Sequence, residues 1–164
     1  MNLARWMYRG GHPNRIARLL NRGHAALYAA GLLPNYLVTL EVVGRRSGRV
    51  FTLPMVLAVM DGERYLVSML GPDVAWVLNV RAAGGKAVLC HGRREEVRLV
   101  EVPVESRAPV LKAYLKRATG ARPHVRVHKD APLAEFEAIA SEIPVFQVRP
   151  RSAASDGEEA GNLD

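Results

Sequence analysis

Three arginines, Arg45, Arg46 and Arg49, surround Ser47 and Gly48 in the stretch VVGRRSGRVFTLP, which runs from Val42 to Pro54. Gly44 and Gly48 permit positive φ, so successive backbone N–H groups can turn into one concavity, a nest of the kind that holds phosphate. Arg45 and Arg46 would add bidentate guanidinium contacts, and Ser47 a hydroxyl donor. The plain alternative is a solvated turn, since arginine tolerates water and both glycines suit a bend. Neither G-x-x-x-x-G-K-S/T nor G-x-G-x-x-G occurs, so an anion site here would rest on charge rather than on a known nucleotide loop. Cys90 is the single cysteine, which excludes a disulfide framework and a zinc cluster. Within KAVLCH it reads as a buried, inert thiol rather than a nucleophile. His124 and His128 are four apart in HVRVH, but Pro123 and the valines argue against a helix, and no acidic or cysteine partner completes a metal set.

The elements that must position these groups are β-rich. Residues 36–43 (YLVTLEVV) alternate and are rich in β-branched types, which reads as a strand. Residues 50–60 (VFTLPMVLAVM) form a second strand, and Asp61-Gly62 then turns into RYLVSML, a strong hairpin signal. Residues 73–83 have helical spacing, with Asp73 as the expected cap and Gly84-Gly85 as the stop. KAVLCH, a turn at GRRE, and EVRLVEVPV make another hairpin; ESRAPVLKAYLKRA and APLAEFEAIASE are helices, and PVFQVRP is a closing strand. About six strands in hairpins, with helices inserted or flanking, predict an α+β fold: a small, mostly antiparallel barrel rather than a βαβ sheet.

The chain has 164 residues, 49% hydrophobic and 24% charged, which suits one globular domain with its own core. A net charge of +7 suits an anionic partner: nucleic acid, acidic lipid or a phosphorylated, carboxylated small molecule. No acid precedes Glu41, whereas Arg5, Arg9, Arg15, Arg18 and Arg22 all lie in that first quarter. Residues 1–34 therefore read as a basic amphipathic helical segment, with Ile16, Leu19, Leu20 and Leu27 on one side. Its two uses are a membrane surface of anionic lipid, or packing on the barrel or at a dimer interface. Residues 35–150 read as the folded domain, and 151–164 as a disordered acidic tail. No run of about eighteen apolar residues spans a membrane, and the N-terminus lacks a secretory apolar core; the expected address is cytoplasmic, with the inner membrane face as a peripheral alternative. The strands offer no aromatic platform for stacking bases, so nucleic acid is not expected as a partner.

Taken in order, GRRSGR, TLP, VMDGERYLVSML and AWVLNVRAAGGKAVL resemble the deazaflavin-dependent nitroreductase and quinone reductase family of actinobacteria. The shared pattern is a strand, G-R-R/K-S/T-G, a strand containing proline, a D-G hairpin, then W-x-x-N-L/V-R/K-A. The resemblance covers roughly residues 37–102, and the helix followed by PVFQV also fits.

The resemblance implies a split β-barrel related to FMN-binding oxidoreductases, and coenzyme F-420 as the cofactor: an 8-hydroxy-5-deazaflavin with a phosphate and a polyglutamate tail. Carried over by position, Arg45, Arg46, Ser47 and Gly48 would contact the phosphate and tail. Leu53, Pro54 and Met55 would lie along the deazaflavin. Ser68, Met69, Leu70 and Gly71 match a loop beside the ring, and Trp76, Asn79 and Arg81 match the following helix. Trp76 and Asn79 share a helical face, whereas Arg81 lies off it. The implied activity is hydride transfer to an electron-poor small molecule such as a quinone or nitroaromatic, with no obligatory nucleophile or metal. Ser68, Tyr65 and Tyr114 are the candidate proton donors, with solvent as the default. An FMN enzyme on the same barrel is the alternative, but one phosphate without a polyglutamate tail leaves the arginine excess unexplained. The protein would act as a monomer or homodimer.

Overall fold

The computed structural model describes residues 34–151 together with Ala26 and Ala30. The basic helical segment and the acidic tail beyond residue 151 lie outside the described residues. Among the described residues no helix is long and apolar enough to cross a membrane.

Six strands close into one barrel in the order β1-β2-β3-β6-β5-β4, every pairing antiparallel. They are β1 (Leu37–Val43), β2 (Val50–Met60), β3 (Glu63–Val67), β4 (Lys86–His91), β5 (Arg93–Glu101) and β6 (Val145–Pro150). Helix α1 (Ala75–Ala82) joins β3 to β4, while α2 (Arg107–Arg117) and α3 (Leu133–Ile139) are inserted between β5 and β6. The expected α+β barrel and its strand count are both found.

Alternation sorts the strands into two cores. Val38, Leu40 and Val42 of β1, Leu66 of β3, Leu89 of β4, Val97 and Leu99 of β5 and Phe146 and Val148 of β6 fill the interior, together with Trp76, Val77 and Val80 of α1. Tyr65, Val67 and Val145 point the other way and pack beneath α2 and α3, around Leu111, Tyr114 and Phe136. At the far end, Arg64 and Glu95 form a two-point ion pair at 2.6 and 2.8 Å, which holds the Glu95 carboxyl below its ordinary range.

Three local expectations need correction. Asp73 does not cap α1: the helix begins at Ala75, the flanking position is Val74, and no side chain caps it. Asp73 falls one residue too early for that role. The β4–β5 turn is narrower than GRRE, because Gly92 alone, at φ +70°, separates His91 from its partner Arg93. β3 stops at Val67, and Ser68 carries its register one step further, its N–H donating to the Pro144 carbonyl at 2.9 Å. Gly85 ends α1 as expected, and only glycine fits there: a Cβ would come within 2.5 Å of the Leu99 carbonyl oxygen.

The barrel is split along β2. Residues 50–56 pair with β1 alone, since pairing to β3 starts at Leu57. Pro54 sits in this half and costs the ladder nothing. The bonds from Leu57 N–H to the Tyr36 carbonyl (2.7 Å) and from Gly44 N–H to the Arg49 carbonyl (2.8 Å) define the bonded pairs, and Pro54 opposite Thr39 falls in the alternate, non-bonded set. Its nitrogen therefore faces the open side, where a missing N–H is harmless.

Candidate active site

The β1–β2 loop is a tight, self-bonded bend. Gly44 N–H donates to the Arg49 carbonyl and Gly48 N–H to the Gly44 carbonyl, both at 2.8 Å, while Ser47 Oγ accepts from Arg49 N–H at 3.3 Å. Gly48 stands at φ +65°, and a Cβ on Gly44 would crowd Ser47 Oγ at 3.0 Å. The N–H groups of residues 44, 45, 48 and 49 are thus all bonded within the protein. That leaves the successive N–H groups of Arg46 and Ser47, beside the guanidinium groups, as the loop's donors toward an anion. Arg45, Arg46 and Arg49 are all exposed, and none meets a carboxylate among the described residues.

Helix α1 fixes that loop from below. Asn79 is 4% exposed, and its Oδ1 accepts from both Arg45 N–H (3.2 Å) and Arg45 Nη1 (3.0 Å). Trp76, on the same face, is buried inside the barrel with its ring 5.4 Å from that of Phe146 and tilted by 60°. Asn79 thus meets the arginine loop from its buried side, and Trp76 packs in the barrel core one turn before it. Arg81 goes elsewhere. Its Nε and Nη2 clasp Glu101 at 3.1 and 2.8 Å, and Arg107 Nη2 reaches the same carboxylate at 3.2 Å. The Arg81 contact above all holds the Glu101 carboxyl below its usual range. Arg107, nearly buried, also donates to the carbonyls of Val102, Ala140 and Ile143, tying α2 to β5 and to the chain entering β6.

Leu53, Pro54 and Met55 are half-buried on the open half of β2. The β3–α1 loop follows the end of β3. Ser68, 2% exposed, donates from Oγ to the Gly71 carbonyl at 2.6 Å, which spends its proton on shaping that loop. Met69 is backed by Tyr114, whose hydroxyl lies 3.8 Å from the sulfur. Burial pushes the Tyr114 phenol up to about 12. Tyr65 is buried beneath the outer helices, and desolvation, then Glu63 and Asp61, raises its phenol as well. Neither tyrosine is placed as a ready acid.

Beside Met69, Leu70 and Pro72 opens a cleft of about 430 Å³, whose far wall is His124, Ile139 and Ile143. Arg126 and Glu142, ion-paired at 2.7 Å, stand at its rim. His124 ends the short 3-10 turn Thr119–His124. Sequence reasoning did not find it as a site residue, because a histidine after a proline in a loop carries no periodic signal. Among the described residues no group of His, Cys, Asp and Glu is placed to hold a metal.

A family model described as F420H(2)-dependent quinone reductase matches residues 20–127. No curated protein matches the chain in sequence. Among solved structures, one described as a domain-swapped dimer is 19% identical with a TM-score of 0.51, covering 82% of this chain and 94% of its own. The conserved hypothetical protein Rv2991 from Mycobacterium tuberculosis is likewise 19% identical with a TM-score of 0.51, covering 77% of this chain and 80% of its own. Both likenesses concern the fold.

Proposed function

From the premise that the chain belongs to the F420H(2)-dependent quinone reductase family, and is thus an oxidoreductase using coenzyme F-420, we propose that Arg45, Arg46 and Arg49 hold the anionic part of the cofactor and that the cleft beside Met69 receives the acceptor. The observation that carries this reading is the arginine loop itself: three exposed guanidinium groups without carboxylate partners among the described residues, on a bend anchored by Asn79. A phosphate with several carboxylates matches that cluster, because charge-assisted guanidinium contacts favour planar oxyanions. FMN, with a single phosphate, uses less of it.

The bound reduced deazaflavin supplies a hydride. The open half of β2, with Leu53, Pro54 and Met55, would offer the ring an apolar face, and Gly71 and Met69 would bound it on the loop side. A planar, electron-poor acceptor such as a quinone fits a cleft walled by Met69, Leu70, Ile139 and Ile143. His124 brings an imidazole to that wall, able to hydrogen-bond an acceptor oxygen. Ser68, Trp76 and Asn79 would act by holding the loop and helix in place.

The experiment is a fluorescence titration of the purified protein with F-420 and an absorbance titration with FMN, followed by turnover with a short-chain quinone. Tight F-420 binding with quinone reduction supports the reading. Preference for FMN, or F-420 binding unchanged when Arg46 and Arg49 are both replaced by Ala, defeats it.

A further inference from the structure

Arginine is used in opposite ways at the β1–β2 loop and at the cleft. On the loop, Arg45, Arg46 and Arg49 are exposed and meet no carboxylate among the described residues. Arg126 at the cleft is also exposed, at 74%, yet its Nη2 donates to both carboxylate oxygens of Glu142, at 2.8 and 2.7 Å. These two carry the only formal charges among the residues lining the cleft, where the other side chains are His124 and apolar groups.

The pair is assembled from separate stretches of chain. Arg126 follows the 3-10 turn Thr119–His124. Glu142 stands in the turn that closes α3, where its N–H donates to the Ile139 carbonyl at 3.0 Å. Sixteen residues apart, the two side chains meet at the rim.

An exposed ion pair contributes little to stability, so its weight falls on the potential that an entering molecule meets. A lone guanidinium would draw anions from about 10 Å, a Debye length at ordinary salt. With a carboxylate in contact, the two fields largely cancel. A bare Arg126 would also compete with the arginine loop for the anionic groups of the cofactor.

We propose, resting on the reading of this cleft as the acceptor site, that Glu142 sets its charge selectivity by neutralising Arg126, so that uncharged acceptors are taken in preference to anionic ones. Each charge tunes the other. Arg126 without Glu142 would admit anions, and Glu142 without Arg126 would repel them.

Turnover of reduced F-420 with naphthoquinone and with naphthoquinone sulfonate tests this, read as the ratio of kcat/KM for the sulfonate to that for the neutral quinone. The ratio cancels any difference in the amount of active enzyme, and a merely structural role for the pair would leave it unmoved. Glu142→Gln is expected to raise the ratio roughly fivefold, Arg126→Gln to lower it by a similar factor, and the double variant to return near the parent. Both single-variant shifts should shrink at high salt. A ratio unmoved in the two single variants, or moved in the opposite sense, would overturn the proposal. Val125→Trp, on the cleft lining, separates that failure from a failure of the acceptor site itself. Its indole should narrow the cleft and lower kcat/KM for both quinones while F-420 still binds. Where it does so and the charge variants leave the ratio alone, the cleft receives the acceptor and only the charge selectivity is lost. Undiminished kcat/KM for both quinones in Val125→Trp would place the acceptor elsewhere and overturn both.

Discussion

Asn79 Oδ1 accepts from both the backbone N–H and the guanidinium of Arg45. One buried amide thereby joins the helix that plugs the barrel to the loop that carries the positive charge. The tetrad W-x-x-N and the motif G-R-R-S-G belong together for this reason: the first builds the floor on which the second stands.

Replacing Asn79 with Ala removes both bonds and leaves Arg45 N–H without its acceptor. A stability loss of about 1–3 kcal/mol is expected in urea unfolding, together with weaker F-420 binding. Were Asn79→Ala to weaken binding with no change in stability, direct contact with the cofactor would be the better account.

The Arg46→Ala, Arg49→Ala double variant should behave in the opposite way. Both side chains are exposed and make no carboxylate pair among the described residues, so the unfolding free energy should stay within about 0.5 kcal/mol of the parent. Cofactor affinity should fall by roughly tenfold or more per lost charge-assisted contact. The salt dependence of the remaining binding should also shrink, as isothermal titration at two ionic strengths would show.

His124→Gln tests the cleft. F-420 affinity should be unchanged, while turnover with a quinone falls by roughly 100-fold, the ordinary scale of a lost general acid. Tyr114→Phe is the control. Its phenol is buried behind Met69 and held at about 12, so its removal should leave turnover near that of the parent. A large loss in Tyr114→Phe, and none in His124→Gln, would exchange the two roles.

The Glu101 carboxyl, depressed chiefly by Arg81 and also by Arg107, links stability to pH. Its folded value lies below its unfolded one, so its contribution is fully present above the unfolded value near 4.3 and is lost as pH falls through the folded value. Glu101→Gln should therefore be less stable than the parent at neutral pH, and the gap should close in acid. Thermal melts at about pH 7 and pH 3 would show it; a gap that persists in acid would mean that shape rather than charge holds the site.

Much of the fold was legible in local chemistry. The alternation in β1 and β2, the Asp61-Gly62 turn and the Gly84-Gly85 stop each act within a few residues, and each is found. The cap at Asp73 misled because any acid near a helix start looks like a cap, while the true start depends on how Gly71, at φ +94°, aims the chain. The arginine loop was visible as charge, but not its internal bonding, which ties four of its N–H groups into the protein and leaves those of Arg46 and Ser47. The partners of Arg81 were hidden because Glu101 lies twenty residues on, at the end of a strand whose register no local signal fixes. His124 and the cleft were out of reach for the same reason: they exist only where distant loops meet.

Pro54 faces the unpaired side of β2 with no hydrogen to give. An exposed strand edge invites a foreign chain to add itself, one rung at a time, and so begins aggregation. A missing rung in mid-edge stops such growth while leaving the slot open to a flat, non-peptide guest. Exchanging Pro54 for Val would restore that rung, and the cost would be paid in solubility before it showed in the fold.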